Sequence, residues 1–200
     1  MMLGDISRKL KLIVRKNEVD KEKQPLKLVG KQLKVKYDGE THEIGGFINE
    51  VFHANNKRYK VTYNSYLVRG KDVSIYTLEE PKNLRIINSR GKDVTDEFDI
   101  EIVPGELVID KREIILRSAS GSREYDGSNF ELHDIEILGD GCIEGEEINC
   151  SCKGSILVPG KCTNSIVYSF SSTVNPKNYN IKLQEGTLEI LDRIFHTSLG

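Results

Sequence analysis

The sequence predicts an all-β chain, and three observations lead to this prediction. Short runs rich in Val, Ile, Leu, Thr and Tyr recur along the 200 residues, and Gly, Asn, Asp and Pro separate them. Helical periodicity is nearly absent, and an internal repeat divides the chain into two similar parts. Together these features favour two tandem sandwich modules, with β-grasp-like modules as the alternative topology.

Thirteen short strands are predicted, each bounded by turn-forming residues. Because successive side chains of a strand point to opposite faces, alternate residues of each run are expected to face a core. Ile48–Asn55 is the best helix candidate, although Asn55-Asn56 is typical of a turn. The predicted strands are Leu10–Val14, Lys34–Tyr37, Tyr59–Tyr63, Val73–Tyr76, Leu84–Ile87, Phe98–Val103, Leu107–Ile109, Glu113–Leu116, Ile135–Leu138, Ile148–Cys152, Ile166–Phe170, Tyr179–Leu183 and Leu188–Leu191.

The internal repeat consists of blocks that return in the same order. Tyr37-Asp38-Gly39 returns as Tyr125-Asp126-Gly127, an offset of 88 residues (125 minus 37). Phe98-Asp99-Ile100 returns as Tyr179-Asn180-Ile181, an offset of 81 (179 minus 98). The Gly-x-Leu-x-Ile block at Gly105 returns at Gly186 with the same offset of 81. The first copy therefore holds a net insertion of seven residues between these blocks.

The copies set the predicted domain boundaries. Arg8–Val14 and Lys111–Leu116 both join a basic pair to a strand, so each is expected to open a copy. Residues 16–36 then have no counterpart in the second copy. We predict a first module over residues 1–110 and a second over 111–191. Residues 192–200 are expected to be a tail or the start of a third repeat.

With these blocks in place, the chain resembles the YDG-type repeats, the MBG class of bacterial immunoglobulin-like modules. Tyr-Asp-Gly, the Asp93-Val94-Thr95 block with Phe98-Asp99-Ile100, and the closing Gly-x-Leu-x-Ile carry the resemblance. It implies immunoglobulin-like sandwich modules from a large surface protein of a Gram-positive bacterium. It further implies a non-catalytic stalk that presents an adhesive or other domain, outside the cell. The alternative is an adhesion module that itself binds a host glycan or glycoprotein.

Charge and motifs narrow the classes of function. Lys and Arg number 29 against 31 Asp and Glu, which gives a net charge of −2 and no global attraction to nucleic acid or an anionic membrane. The first thirty residues contain no apolar run long enough for a signal peptide or a membrane helix. The residues alone are compatible with a cytosolic protein or with a segment of a longer secreted one. The resemblance implies the second, a monomeric segment of a larger exported protein. No P-loop, G-x-S-x-G or G-x-G-x-x-G motif is present, so no enzyme and no cofactor is predicted.

Two groups of residues are candidates for chemistry. The four cysteines, Cys142, Cys150, Cys152 and Cys162, fit no zinc-ligand spacing, and they are expected to be buried thiols or cross-strand disulfides. Acidic residues from Asp140 to Glu147 surround a glycine-rich turn, where a solvated hairpin tip is favoured over a weak calcium site. The aromatic residues that could face a ligand are Tyr59, Tyr63, Tyr66 and Tyr76, and a place in the core is the competing interpretation.

Overall fold

A computed structural model of the chain describes residues 21–193. Its regular secondary structure is almost entirely β, with strands that form several small sheets, so the predicted all-β, sandwich-type fold class is confirmed. Two short 3-10 turns, Thr95–Glu97 and Pro176–Asn178, complete it. The strands are β1 (Gln24–Val29), β2 (Leu33–Lys36), β3 (His42–Gly45), β4 (Val51–Ala54), β5 (Lys57–Thr62), β6 (Leu67–Gly70), β7 (Ser74–Thr77), β8 (Arg85–Asn88), β9 (Phe98–Val103), β10 (Glu106–Asp110), β11 (Arg112–Ser118), β12 (Gly121–Glu124), β13 (Ile135–Gly139), β14 (Ile148–Cys152), β15 (Gly160–Asn164), β16 (Ile166–Phe170), β17 (Tyr179–Gln184) and β18 (Gly186–Leu191).

Twelve of the thirteen predicted strands coincide with strands of the structure, and Leu10–Val14 lies outside the described residues. Six strands were not predicted: β1, β3, β4, β6, β12 and β15. The predicted helix at Ile48–Asn55 is wrong, because β4 occupies its second half. Asn55 and Asn56 both have positive φ, 48° and 60°, the backbone of a tight hairpin turn that joins β4 to β5.

The described chain divides into two compact units that interleave along the sequence. The first comprises residues 21–32, 44–68 and 77–106, and the second comprises 33–43, 69–76 and 107–193. These units divide the chain differently from the modules predicted at 1–110, 111–191 and 192–200. The module boundaries stay a prediction, and residues 194–200 lie outside the described part.

The first unit contains a parallel pair and an antiparallel sheet. Strands β1 and β9 run parallel along their whole length, and β5 lies between β4 and β8. The rings of Phe52 and Tyr59 stack 5.3 Å apart, and Phe98 meets both edge-on. In a chain without tryptophan, these rings are among the largest side chains that the core can bury. The other buried apolar residues of this unit are Leu26, Leu28, Ile44, Phe47, Val61, Tyr66, Leu78, Ile86 and Val94.

The second unit contains three three-stranded sheets and one pair. Strand β10 lies between β2 and β7, β11 lies between β13 and β17, and β18 lies between β12 and β15. Strands β14 and β16 form an antiparallel pair. The alternate residues of β10 and β18 that were expected to face a core are buried. The buried apolar residues of this unit are Tyr37, Leu107, Ile109, Ile114, Leu116, Cys152, Ile166, Val174, Tyr179, Leu188 and Ile190.

The internal repeat is confirmed by the register of the parallel strands. Gln24 lies opposite Phe98 in the first copy, and Arg112 lies opposite Tyr179 in the second. Arg112 stands 88 residues after Gln24 (112 minus 24), and Tyr179 stands 81 residues after Phe98 (179 minus 98). These are the two offsets found in the sequence. The pairs β2–β10 and β12–β18 obey the same two offsets. In both copies, therefore, the first strand pairs in parallel with the last but one, and the second strand pairs in parallel with the last.

This register corrects two details of the predicted alignment. Strand β1 is the counterpart of β11 and β2 that of β12, so the part of the predicted insertion at 24–36 does have a counterpart in the second copy. The segment that matches Arg112–Arg117 is consequently Gln24–Val29. Arg8–Val14, which was expected to open the first copy, lies outside the described residues. Pro25 obscured the match, because proline within a run argues against a strand. Here Pro25 stands at the second residue of β1, and β9 is the strand that pairs with β1.

The closing block begins with glycine in both copies because two backbone segments approach closely there. A Cβ on Gly105 would lie 2.1 Å from the carbonyl oxygen of Lys31. A Cβ on Gly186 would lie 2.4 Å from the carbonyl oxygen of Ala119, the residue 88 positions after Lys31. No larger residue fits without a backbone shift.

Candidate functional site at the first Tyr-Asp-Gly turn

The first Tyr-Asp-Gly is a tight turn that follows β2, and all its contacts described here lie within the second unit. Gly39 has a φ of 80°, a conformation that glycine adopts readily. The Asp38 carboxylate accepts a bond of 2.9 Å from the Glu40 backbone N–H and contacts the His42 ring at 2.9 Å. Partial burial acts to raise the pKa of Asp38, but these bonds outweigh it and lower that pKa. The turn is therefore closed by its own side chain.

The tyrosine of this turn belongs to a cluster of two phenols and one carboxylate. Tyr37 is buried, and its ring meets the ring of Tyr179 edge-on at 5.8 Å. The Tyr37 hydroxyl donates to Glu146 Oε1 at 2.7 Å, and the Tyr179 hydroxyl donates to Glu146 Oε2. The Tyr179 hydroxyl also accepts a bond of 3.2 Å from the backbone N–H of Ile143. Glu146 of the second copy thus joins Tyr37, near the start of the first copy, to Tyr179, near the end of the second copy.

Burial and the Glu146 carboxylate determine the protonation of these phenols. Burial first, and then the bond to Glu146, raise the pKa of Tyr37 to about 12. The same two causes raise the pKa of Tyr179. Both hydroxyls are therefore protonated at neutral pH, where they act as hydrogen-bond donors and not as bases.

Two basic side chains, Arg112 and Lys36, hold the acidic turn, which we define as residues 140–147. The Arg112 guanidinium donates to the carbonyl oxygens of Asp140 at 2.6 Å, Gly141 at 2.9 Å and Tyr37 at 3.3 Å. Lys36 Nζ contacts the Asp140 carboxylate at 2.8 Å, and the Glu113 backbone N–H donates to it at 2.8 Å. These two partners, with the Glu113 bond foremost, lower the pKa of Asp140. Asp140 is thereby engaged by the protein itself.

The cluster borders a shallow depression of about 450 Å³. Its rim is polar, and Ile143 on one side packs against the backbone of Gly39: a Cβ there would lie 2.5 Å from Ile143 Cδ1. Within residues 21–193, no three His, Cys, Asp or Glu side chains are grouped so that they could hold a metal ion. The arrangement is suited to fastening two chain segments together. The lining residues are Tyr37, Asp38, Gly39, Glu40, Lys71, Ile143, Glu144, Gly145 and Glu146.

A buried asparagine extends this network. Asn178 is fully buried in the 3-10 turn before β17. Its side-chain oxygen accepts a bond of 2.8 Å from the Val73 backbone N–H, and its Nδ2 donates to Asp72 at 2.9 Å. Both polar ends are satisfied, as burial requires. Residues 69–76 are thereby fixed to the segment that carries Tyr179.

The four cysteines do not form a site. Cys142 lies in the acidic turn, Cys150 and Cys152 lie on β14, and Cys162 lies on β15. All four are free thiols, and Cys152 is buried. Strand β14 pairs with β16, while β15 pairs with β18, so Cys162 is not on the strand that neighbours Cys150. Burial is the leading cause that raises the pKa of Cys152 and of Cys142, which makes these thiols less reactive.

Of the four tyrosines predicted as ligand-facing, two are core residues and two are half-buried. Tyr59 and Tyr66 are core residues, only 4% and 5% exposed, because they stack on Phe52 and Phe47 respectively. Tyr63 and Tyr76 are half-buried, and their hydroxyls donate to Glu50 and to the Asp72 carbonyl oxygen. The hydroxyls of Tyr63 and Tyr76 are therefore engaged within the chain.

A larger, open depression of about 660 Å³ lies at one end of β11 and β17. Arg117 on its edge donates to Gln184 at 2.9 Å and pairs loosely with Glu136 at 3.5 Å. None of its lining residues is aromatic, so it offers no stacking surface for a sugar. The lining residues are Arg117, Ser118, Ala119, Ser120, Asp134, Glu136, Gln184, Glu185 and Gly186.

Sequence reasoning identified Tyr37 and the acidic turn separately but did not bring them together. Glu146 and Tyr179 were each assigned other roles, and Arg112 was treated only as part of a basic pair. The one signal that could have found the cluster is the mismatch between the copies. Phe47 pairs with Gly30 as Ile135 of β13 pairs with Ser118, and both residues of the second pair stand 88 positions after those of the first (135 minus 47, 118 minus 30). In the region that follows, the second copy has the acidic turn between β13 and β14, whereas the first copy has the β4–β5 hairpin.

Comparison of the chain with protein-family models, curated proteins and solved structures finds no match. Across residues 21–193, no helix is long and apolar enough to cross a membrane.

Proposed function

We propose that this chain is a non-catalytic tandem-repeat segment of a bacterial surface protein, a stalk that presents an adhesive or other domain outside the cell. The observation that carries the proposal is the way Glu146 of the second copy receives the tyrosine of the first Tyr-Asp-Gly. A repeat that is fastened to its neighbour through partly buried, charge-assisted hydrogen bonds is suited to a stiff array. The resemblance to YDG-type repeats supplies the cellular setting.

The chemistry of the cluster supports a mechanical role over a catalytic one. The Tyr37 phenol is a poor base or nucleophile at neutral pH, since its pKa is raised to about 12. The Glu146 carboxylate is occupied on both oxygens. The tyrosines expected to bind a glycan lie in the core or are engaged by the chain, so no contact favours the adhesion alternative.

Small-angle X-ray scattering tests the stalk. A compact protein of 200 residues has a radius of gyration of about 16–17 Å, and a stalk segment is expected to exceed this clearly. The matched comparison is the full chain with a second copy of residues 111–191 inserted after Leu191. In a stalk, the longest dimension grows while the cross-sectional radius of gyration stays constant. Growth of both dimensions would refute the stalk.

A further inference from the structure

The second Tyr-Asp-Gly occupies the same place in its copy as the first does. The Tyr37 backbone N–H donates to the Asp110 carbonyl oxygen at 2.8 Å, and the Tyr125 N–H donates to the Leu191 carbonyl oxygen at 2.9 Å. The two donors, Tyr37 and Tyr125, are 88 residues apart, and the two acceptors, Asp110 and Leu191, are 81 residues apart, so the same two offsets apply. Gly127 has a φ of 82°, close to the 80° of Gly39. The two turns are therefore the same structural element.

The two turns differ in what covers them. Tyr37 is 2% exposed beneath the acidic turn, whereas Tyr125 is 38% exposed. A Cβ on Gly39 would strike Ile143 at 2.5 Å, whereas nothing in the described chain lies within 4 Å of a Cβ on Gly127. The tyrosine ring and the glycine that are covered in the first copy, Tyr37 and Gly39, are thus uncovered in the second copy, at Tyr125 and Gly127.

We propose that Tyr125-Asp126-Gly127 is a docking surface for a further repeat of the second type, following in the same polypeptide. The occupant would place an apolar residue like Ile143 on Gly127, and a carboxylate like Glu146 would accept the Tyr125 hydroxyl. Arg193 stands 81 residues after Arg112, the residue that binds the carbonyl oxygen of Tyr37. This inference rests on the stalk proposal and specifies how one repeat would be joined to the next.

The occupant is a repeat of the second type because only that type carries the acidic turn. The first copy has β4, Asn55-Asn56 and β5 in the equivalent region, a hairpin with no counterpart of the Glu146 carboxylate among its turn residues. A repeat with the hairpin lacks the acceptor that a buried tyrosine hydroxyl needs. Docking therefore discriminates between repeat types.

A single tryptophan placed at the surface reports docking, since the natural chain has none. The Tyr125→Trp substitution is made in the chain and in the array with residues 111–191 inserted after Leu191, at the first occurrence only. We expect the array to show emission at shorter wavelength and several-fold weaker acrylamide quenching than the chain. The control is Tyr168→Trp, 44% exposed on β16, whose signal should be the same in both proteins.

Two further variants separate docking from accidental burial. In the Tyr125→Trp array the indole N–H replaces the hydroxyl as donor to Glu146, so Glu146→Gln in the inserted copy alone should weaken the emission shift. Gly127→Ala imposes the same backbone strain in the chain and the array, so any additional loss of stability in the array measures the new contact. This comparison stays decisive even if the larger indole ring does not fit the docked interface.

The outcomes distinguish this inference from the proposed function. Equal emission in chain and array, together with an equal cost of Gly127→Ala, would overturn the docking surface. If scattering still showed growth along one dimension, the stalk would stand with a different junction. If the emission shifted but the array were compact, docking would stand and the stalk would fall.

Discussion

Replacing Glu146 by glutamine should loosen the cluster formed by Tyr37, Glu146 and Tyr179. Glutamine retains one oxygen acceptor, so one tyrosine keeps a bond, now to a neutral group, and the other faces an NH₂ group. Losing the charge of one acceptor costs about 1 kcal/mol, and leaving one buried hydroxyl poorly paired costs about 1–2 kcal/mol. We therefore expect Glu146→Gln to lower the free energy of unfolding by about 2–3 kcal/mol, measured by urea denaturation at pH 7.5 with far-UV circular dichroism.

The same substitution should change how the chain responds to alkaline pH. The pKa of Tyr37 is raised to about 12 in the folded protein and is about 10 when unfolded, so between these values the folded state binds more protons. This stabilisation is complete below pH 10 and is lost as the pH rises toward 12. In Glu146→Gln, burial is the main cause that still raises the pKa of Tyr37, so the loss of folding stability between pH 10 and 12 should be smaller than in the natural chain. Phenolate absorbance at 295 nm measures the titration directly.

Two matched variants make this result specific. Glu144→Gln removes the same charge from the same exposed turn, and it should cost less than about 0.5 kcal/mol. Glu50→Gln should leave Tyr37 unchanged but lower the pKa of Tyr63, which is also raised to about 12 by burial and by its bond to Glu50. If Glu146→Gln cost no more than Glu144→Gln and left the titration at 295 nm unaltered, the fastening role of Glu146 would be refuted.

Two other predictions concern the fold. Gly105→Ala and Gly186→Ala should each destabilise the chain by roughly 1–3 kcal/mol in thermal unfolding, because each Cβ meets a carbonyl oxygen. Neither glycine has a positive φ, so this cost measures the close contact; Gly91→Ala, with open space around it but a positive φ, gives the separate cost of backbone strain for comparison. Asn164→Ala should lower the free energy of unfolding by roughly 2–3 kcal/mol in urea denaturation, because Asn164 Nδ2 donates at 3.0 Å to the carbonyl oxygens of Ala119 and Leu132. A loss below about 0.5 kcal/mol would show that these two carbonyl oxygens do not depend on Asn164 for hydrogen bonding.

The strands were predictable where the alternation of apolar residues was uninterrupted. Phe98–Val103, Ile148–Cys152 and Ile166–Phe170 were predicted with their observed bounds, because each is an unbroken run rich in apolar or β-branched residues. Strands β12 and β15 were missed because they are polar: Gly121–Glu124 reads GSRE, and Gly160–Asn164 reads GKCTN. Such strands form because a buried neighbour, β18, pairs with both of them, which no local pattern reveals.

The site was less predictable than the strands, because its parts come from distant positions. The hydroxyl of Tyr37 meets a carboxylate 109 residues further along the chain. Charge patterning favoured a solvated acidic tip, and residues 140–147 do carry exposed side chains such as Glu144. Only the fold determines that Asp140 and Glu146 turn toward partners while Glu144 does not.

The two copies separate what the fold requires from what a repeat recognises. Gly105 and Gly186 recur with the residues that follow them because both copies need the same close backbone approach and the same buried strand. Tyr-Asp-Gly also recurs, yet it is buried in one copy and open in the other, so the motif alone does not determine its role. The element that differs is the acidic turn, and it is the element that covers Tyr37. Specificity for a neighbouring repeat would therefore reside in that turn, and exchanging it for the β4–β5 hairpin should abolish docking while leaving both copies of Tyr-Asp-Gly folded.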